Sequence, residues 1–517
     1  MTPEEAADRA KMVVTLVRGP IVLSETSINN AATPAIGLAY IAGYARHFGY
    51  RPEIIDAIGL GLNQIVPLER YPGYMSHGLT LNELLSRIPK ESRVVGINAM
   101  FSGEWPLYRD LIDAVRQHCP QAVIVAGGEH ITAMAEYSLR DCRSLDLAVL
   151  GEGEHLFYEI LERVRRKESL LDMPGTALLD EGSRFIQTSS VTRIRDIDNI
   201  PWPYWPEGYL QRFWDAERSY GGQYTGRDMP LMISRGCPFQ CAFCSNPNMW
   251  TTRYTLRDVD EVLEEIHHYI KTWQITSVQL YDLTAIIKKS WVVEFCTKML
   301  EQGIDIKWSI PSGTRCESLD REVLTLLKKT GCDFICLAPE SASQVTLDQV
   351  RKRVNLDHLN DAILTARDVG MISRLNLIIG FPDESRKEMW RTLLYGLRMA
   401  AKGVDEVLVG VFSPYPGSEF FNRLLAKKKI IIDDAYLLRL NALNSAFTDL
   451  KPFTVSKHID RLELGIYRFF FMSMGIVIGY LFHPSRIVRT IRNIYFNNRA
   501  ETALEQRLRI LVRKKQR

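Results

Sequence analysis

The sequence predicts an α/β protein in three parts: a doubly wound parallel sheet, a partial (βα)6 barrel and a helical C-terminal region. Three observations predict it. Apolar strand-like runs alternate with helical patterns twice along the chain, in two separate series. Between the series lies Ile200-Pro201-Trp202-Pro203-Tyr204-Trp205-Pro206, where three prolines in six residues stop both helix and central strand. From about Asp433 the alternation ceases and helical pattern takes over. The expected boundaries are 1–195, a linker at 196–225, the barrel at 226–430 and the C-terminal region at 431–517.

In the first series, strands are expected at Met12–Val17, Glu53–Ile55, Arg93–Ile97, Ala122–Ala126 and Leu145–Leu150. Helices are expected over Pro34–Phe48, Pro106–His118 and from Glu154 through Val164, the first opened by Pro34 and stopped by Gly49. Ligands of such sheets bind at the carboxyl ends of the strands. Those ends carry Gly127-Gly128-Glu129-His130 and Gly151-Glu152-Gly153-Glu154, where glycine lets a backbone approach a ligand. The second series places strands at Leu231–Ser234, Ser277–Tyr281, Ile306–Ile310, Phe334–Ala338, Leu375–Gly380 and Glu406–Phe412. Helical patterns at Asp258–Ile270, Asp320–Lys329 and Asp357–Val369 separate them, and an active site is expected at the strands' carboxyl ends.

A chain of 517 residues with 46% hydrophobic and 24% charged residues has the composition of a multidomain globular protein, not of a disordered one. The polar N-terminus and the short run Met12–Val17 do not make a signal peptide, so a reducing, cytoplasmic setting is expected. Nine cysteines in this length do not read as a disulfide framework.

Cys237, Cys241 and Cys244 are spaced C-x3-C-x2-C directly after the first strand of the second series. Three thiolates in one tight loop suit three irons of a [4Fe–4S] cluster and leave the fourth iron open. Structural zinc normally wants four ligands, and no fourth Cys or His lies nearby. The loop resembles the signature of the radical S-adenosylmethionine (SAM) superfamily, in which SAM chelates the open iron and is reductively cleaved to a 5′-deoxyadenosyl radical. The resemblance extends to Phe243 before the third cysteine, to Ala338-Pro339-Glu340-Ser341-Ala342-Ser343 and to Gly380-Phe381-Pro382-Asp383-Glu384-Ser385. It implies that Phe243, Glu340, Ser341, Gly380 and Glu384 contact SAM. Ala338 and Ala342 depart from the glycines usual there. Pro414-Tyr415-Pro416-Gly417 also matches, Arg315 takes an often polar position, and Asp282 is expected to line the site.

An α/β domain before such a barrel resembles the cobalamin-binding class of the superfamily. Pro34-Ala35-Ile36-Gly37 and the two glycine-rich turns carry that likeness. It implies a Rossmann-like cobalamin domain with Asn98, Ser102, Gly127, Gly128, Glu129, Gly151, Glu152 and Gly153 toward the corrin, and Met100 beside them. The loop Arg18–Thr33 holds no histidine, and Asp56-Ala57-Ile58-Gly59-Leu60-Gly61 has Ile where a D-x-H-x-x-G motif has its cobalt ligand. His130 is the one histidine at a strand end that could approach the cofactor, and it is expected as a solvated loop residue instead. A domain of this fold that binds nothing is the alternative.

The class implies methylation of an unactivated carbon of a small molecule, which the C-terminal tail leaves open to be hydrophobic, with a flavodoxin or ferredoxin as electron donor. A non-methylating cyclase or rearrangement enzyme and a cobalamin- or redox-sensing binding protein are the alternatives. Only Cys119 and Cys142 precede Cys237 and none follows Cys336, so a second cluster is not expected, and Cys332 and Cys336 read as core. Ile466–Phe482 reads as a helix packed on the barrel, while the basic tail Arg486–Arg517, with ten Arg/Lys and two Glu, opens the alternative of peripheral contact with an anionic inner membrane surface. No nucleic-acid recognition motif is present.

Overall fold

In the computed structural model, which describes residues 3–27, 32–189, 191, 193–220, 226–445, 448–497 and 499–516, both alternating series fold as parallel sheets. The first series gives ten described strands: β1 (Val14–Arg18), β2 (Ile21–Ser24), β3 (Glu53–Asp56), β4 (Ile65–Pro67), β5 (Tyr74–His77), β6 (Val94–Asn98), β7 (Val123–Gly127), β8 (Leu147–Val149), β9 (Thr176–Leu179) and β10 (Phe185–Gln187). Seven of them form one sheet in the order β10-β9-β8-β7-β6-β1-β3. The pairs from β3 to β8 are parallel, and β9 and β10 add an antiparallel edge. The strands β1, β6 and β8 are apolar and almost wholly buried, as strands covered on both faces must be. Leu16, Val94, Val125 and Val149 pack with Leu38, Ala42, Phe157 and Ile160 of the flanking helices Ile36–His47 and Glu154–Arg166. The strand order reverses beside β1, and such a switch point opens a crevice at the carboxyl ends. The antiparallel strands β2, β5 and β4 form a small second sheet that the alternation did not announce.

The second series gives β11 (Asp228–Leu231), β12 (Ser234–Arg235), β13 (Thr255–Leu256), β14 (Ser277–Leu280), β15 (Lys307–Thr314), β16 (Cys332–Glu340), β17 (Ile372–Ile379) and β18 (Glu406–Val411). Six of these form an all-parallel sheet, β11-β14-β15-β16-β17-β18, the partial barrel. The expected first strand, Leu231–Ser234, does not form as one piece. β11 ends at Leu231, and β12 leaves the sheet to pair antiparallel with β13, Ser234 opposite Leu256.

The chain divides into two compact units, but not at the expected boundaries. The first holds residues 1–213, 243–253 and 414–445; the second holds 214–242, 254–413 and 446–517. Residues 201–206 are not a free linker, because they lie on the Ile36–His47 helix. Tyr204 N donates to Ala39 O at 2.9 Å, and the Arg46 guanidinium stacks 3.8 Å above the Tyr204 ring. A Cβ on Gly43 would stand 2.3 Å from the Trp202 carbonyl oxygen, so only glycine permits this approach. Residues 221–225 of the expected linker lie outside the described residues. The helix Asp434–Ser445 belongs to the first unit because Arg109 pairs with Asp434 at 2.7 Å and Asn441 Nδ2 donates to Gly103 O at 2.6 Å.

The C-terminal helices of the second unit are Arg461–Phe482, Ser485–Tyr495 and Ala503–Gln516. The first runs to 22 residues, longer than the apolar run alone implied, and by length and composition it could cross a membrane. One flank, however, lies along the helix Arg386–Ala401 and β18. Leu464, Arg468, Phe471, Gly475 and Gly479 are buried on it at helical spacing. The basic segment is two helices rather than one, and Asn498 and Arg517 lie outside the described residues.

Candidate functional site

In the first unit the carboxyl ends of β6 and β7 lie in register, with Asn98 beside Gly127. The loops that follow are zipped by backbone bonds, Ala99 N to Gly127 O at 2.8 Å and His130 N to Met100 O at 3.2 Å. Gly128 adopts φ +119°, and a Cβ there would meet the Ala99 oxygen at 2.6 Å. Asn98, Gly127, Gly128, Glu129 and Gly153 remain partly open to solvent. Glu129 opens the helix Glu129–Asp141 and accepts the hydroxyl of Ser245, and burial raises its pKa. Ser245 follows Cys244 directly, so the segment behind the third cysteine is held to the glycine-rich turn. Asn248 Nδ2 reinforces this hold by donating to Gly417 O within the same unit.

Three of the expected corrin-facing residues have other roles. The Ser102 hydroxyl is buried and bonds His130 Nδ1 at 2.9 Å. Gly151 is buried, and its N–H donates to Thr132 Oγ1 at 3.0 Å. Glu152 is buried and accepts from Arg193 Nε at 2.9 Å and Ile194 N at 2.6 Å, which ties the returning chain to β8. His130 is also not the solvated residue the sequence implied. Its ring packs 4.9 Å from Trp105, its Nε2 meets Ser138 Oγ at 3.1 Å, and burial lowers its pKa to about 3. Both ring nitrogens are engaged, which leaves neither for cobalt.

Sequence reasoning missed a polar nest beside this crevice. Asp56, at the end of β3, accepts from Tyr209 OH at 2.6 Å and Ile58 N at 3.0 Å and lies 3.6 Å from Arg18 at the end of β1. Glu104 is buried nearby, and burial raises its carboxyl to about 8. The sequence signal was Asp56 itself, in the six-residue run that imitates a cobalamin motif. Here Asp56 caps the short helix Ala57–Leu60.

In the second unit the cysteine loop leaves from the β12/β13 clasp. Asp282, at the carboxyl end of β14, is fully buried and accepts from Ile233 N at 3.1 Å and Ser234 N at 2.5 Å. Burial raises its carboxyl to about 6. Its carboxylate therefore braces the backbone ahead of Cys237 and is enclosed, where the sequence suggested a lining residue. Of the nine cysteines, Cys237, Cys241 and Cys244 are part-exposed and the other six are buried. Among the described residues no three His, Cys, Asp or Glu side chains are gathered as a metal site. The loop is singled out by its spacing and its accessibility.

Around it, the Arg315 guanidinium stacks 3.9 Å over Phe239, and its buried Nη1 has no partner among the described residues. Glu340 sits at φ +69°, a strained conformation for a side-chain-bearing residue, and pairs with Lys352 at 3.0 Å. Glu384 is fully buried. One oxygen accepts from Gly380 N at 2.7 Å, the other has no partner among the described residues, and burial raises the carboxyl to about 8. Ser341, expected at SAM, instead bonds Thr392 at 2.9 Å and accepts Ser343 N at 3.1 Å beneath the loop.

These strand-end loops coincide with two family models. The radical SAM superfamily model matches residues 231–395, and the B12-binding domain model matches residues 30–161. The chain belongs to the cobalamin-binding radical SAM superfamily. A protein of Pyrococcus horikoshii described as an uncharacterized methyltransferase is 26% identical over 93% of this chain and 98% of its own. The anaerobic magnesium-protoporphyrin IX monomethyl ester cyclase of Rubrivivax gelatinosus is 26% identical over 85% of this chain and 74% of its own. In fold, the chain resembles the radical SAM methyltransferase TsrM of Kitasatospora setae, solved with tryptophan and a SAM analogue. The TM-score is 0.62 at 13% identity, over 93% of this chain and 99% of that one.

This radical SAM protein is therefore an enzyme whose cofactors are a [4Fe–4S] cluster, SAM and cobalamin. The residues present fit those groups. The loop offers three accessible soft donors, the barrel retains unpaired buried polar atoms on Arg315 and Glu384, and the sheet end of the first unit keeps its glycine turns open.

Proposed function

We propose that this enzyme methylates an unactivated carbon of a small, apolar molecule, with the cluster held by Cys237, Cys241 and Cys244. The observation that carries the reading is the selective accessibility of those three thiols in a chain whose other cysteines are all buried. When bound, the cluster with SAM supplies hydrogen-atom abstraction and cobalamin supplies the methyl group. The protein's part is binding, orientation and water exclusion. Asp282 fixes the direction in which the cysteine loop leaves the barrel. Glu340, Gly380 and Glu384 of the barrel would hold SAM, and the Glu384 oxygen that has no partner among the described residues offers a hydrogen-bond site. Asn98, Gly127, Gly128, Glu129 and Gly153 would hold the corrin at the sheet end of the first unit. The exposed apolar side chains of the C-terminal helices would suit a hydrophobic substrate. A flavodoxin or ferredoxin in the cytoplasm would deliver the electron.

The likeness to the Rubrivivax cyclase over most of the chain favours a second reading, oxidative cyclisation without methyl transfer. Anaerobic incubation of the reconstituted enzyme with SAM, reductant and a candidate substrate separates the two. Equal yields of 5′-deoxyadenosine and S-adenosylhomocysteine are expected. 5′-Deoxyadenosine alone would favour cyclisation, and neither product would leave only a binding protein.

A further inference from the structure

The helix Ser485–Tyr495 is turned inside out for a helix in water. Four of its six polar residues face the protein. Arg486 donates to Gly403 O at 2.6 Å and Val404 O at 3.1 Å, Arg489 pairs with Asp405 at 2.8 Å, and Thr490 and Asn493 each bond the buried Glu505 at 3.0 Å. Its apolar residues Ile487, Val488, Ile491 and Tyr495 are about half exposed or more, 47–62%. The preceding helix continues the pattern, since the face opposite its buried stripe exposes Ile466, Phe470, Val477 and Leu481. Thirteen of the 23 exposed large hydrophobics among the described residues fall between Leu462 and Phe496. Scattered exposed apolar residues need no explanation, but a continuous face of this kind marks a docking surface.

The charges around the face select its occupant. Lys387, Arg391 and Arg398 on the neighbouring helix and Arg492 are exposed. The acidic residues of these three helices are Glu388 and Glu463. Glu388 closes a capping box with Ser385, and Glu463 pairs with Arg386 at 2.8 Å. A second copy of the chain would set cations against cations. An anionic leaflet offers acyl chains to the apolar face and phosphates to its cationic edge.

We propose that the helices Arg461–Phe482 and Ser485–Tyr495 lie in the plane of an anionic lipid surface and dock the enzyme there. The anchor is then this apolar face, with Arg492 at its edge, while Arg486, Arg489 and Arg509 of the basic segment are engaged inside the protein. The proposal is independent of the reaction the enzyme catalyses.

The full-length reconstituted protein is sedimented with phosphatidylcholine vesicles, with and without phosphatidylglycerol, beside the double variant Ile487→Glu/Ile491→Glu. Anionic vesicles should pellet the wild type, and pure phosphatidylcholine should pellet it less. The variant, with unchanged melting temperature and cluster absorbance, should partition roughly tenfold or more less. Wild type that stays in solution with anionic vesicles would overturn the proposal, as would a variant that pellets equally. A wild-type dimer that the variant dissociates, without vesicle binding, would assign the face to a second copy.

Discussion

Asp282 holds Ser234 by both its backbone N–H and its hydroxyl, at 2.5 Å each, three residues ahead of Cys237. One buried carboxylate thus ends the first barrel strand and aims the cysteine loop. Asp282→Ala would leave those donors unpaired in the interior, at about 1–3 kcal/mol for each unsatisfied group. The expected outcome is a lower melting temperature and a marked loss of bound iron after anaerobic reconstitution. Iron and sulfide analysis measures it, and full cluster occupancy in the variant would refute the bracing role.

His130 is held neutral between Ser102 and Ser138. Its folded pKa, about 3, lies below the unfolded value of 6.5. The unfolded chain therefore binds the extra proton, so the stability this residue contributes is present above pH 6.5 and is lost as the pH falls toward 3. His130→Gln should flatten that acid limb in urea titrations. It should also leave the electron paramagnetic resonance spectrum of bound cob(II)alamin unchanged, because no imidazole reaches the metal.

The buried carboxyl of Glu384 gives the opposite slope. Its folded pKa is raised to about 8 from 4.5, so the folded state favours the protonated form. In the ligand-free enzyme the stability this group contributes is full below pH 4.5 and declines as the pH rises through 8. Glu384→Gln, which keeps an acceptor for Gly380 N–H, should gain on the wild type between pH 5 and pH 9 in denaturant midpoints. A difference independent of pH would refute the buried, protonated state.

Two glycines of one helix should respond differently to alanine. At Gly43 the new Cβ would press on the Trp202 carbonyl, so Gly43→Ala should cost about 1–3 kcal/mol and open residues 201–206 to protease. At Gly37 a Cβ meets only Asn98 Nδ2, at 3.7 Å, so Gly37→Ala should be neutral or stabilising by up to ~1 kcal/mol. Thermal melts of the pair test the packing of the proline-rich segment.

The parallel sheets were legible because buried parallel strands are apolar runs separated by helical periodicity, as Val14–Arg18 and Ile372–Ile379 illustrate. The antiparallel β2, β4 and β5 were not, since three- and four-residue strands carry too little pattern. The glycine turn at 127–129 was readable from its residue types. The burial of Ser102, Glu152 and Ser341 was not, because a hydroxyl or carboxylate looks alike in sequence whether it meets a ligand or a neighbouring backbone.

The order of the domains and the cysteine loop could be read from the residues alone, since spacing and periodicity are local properties of the chain. It took the folded chain to show that Asp282 braces that loop, that His130 is enclosed, and that the proline-rich segment packs on Gly43. The folded chain alone shows, too, that a C-terminal helix turns its apolar side outward. Each of these depends on partners tens to hundreds of residues away, and which partner a buried polar group or an apolar face meets is set by packing.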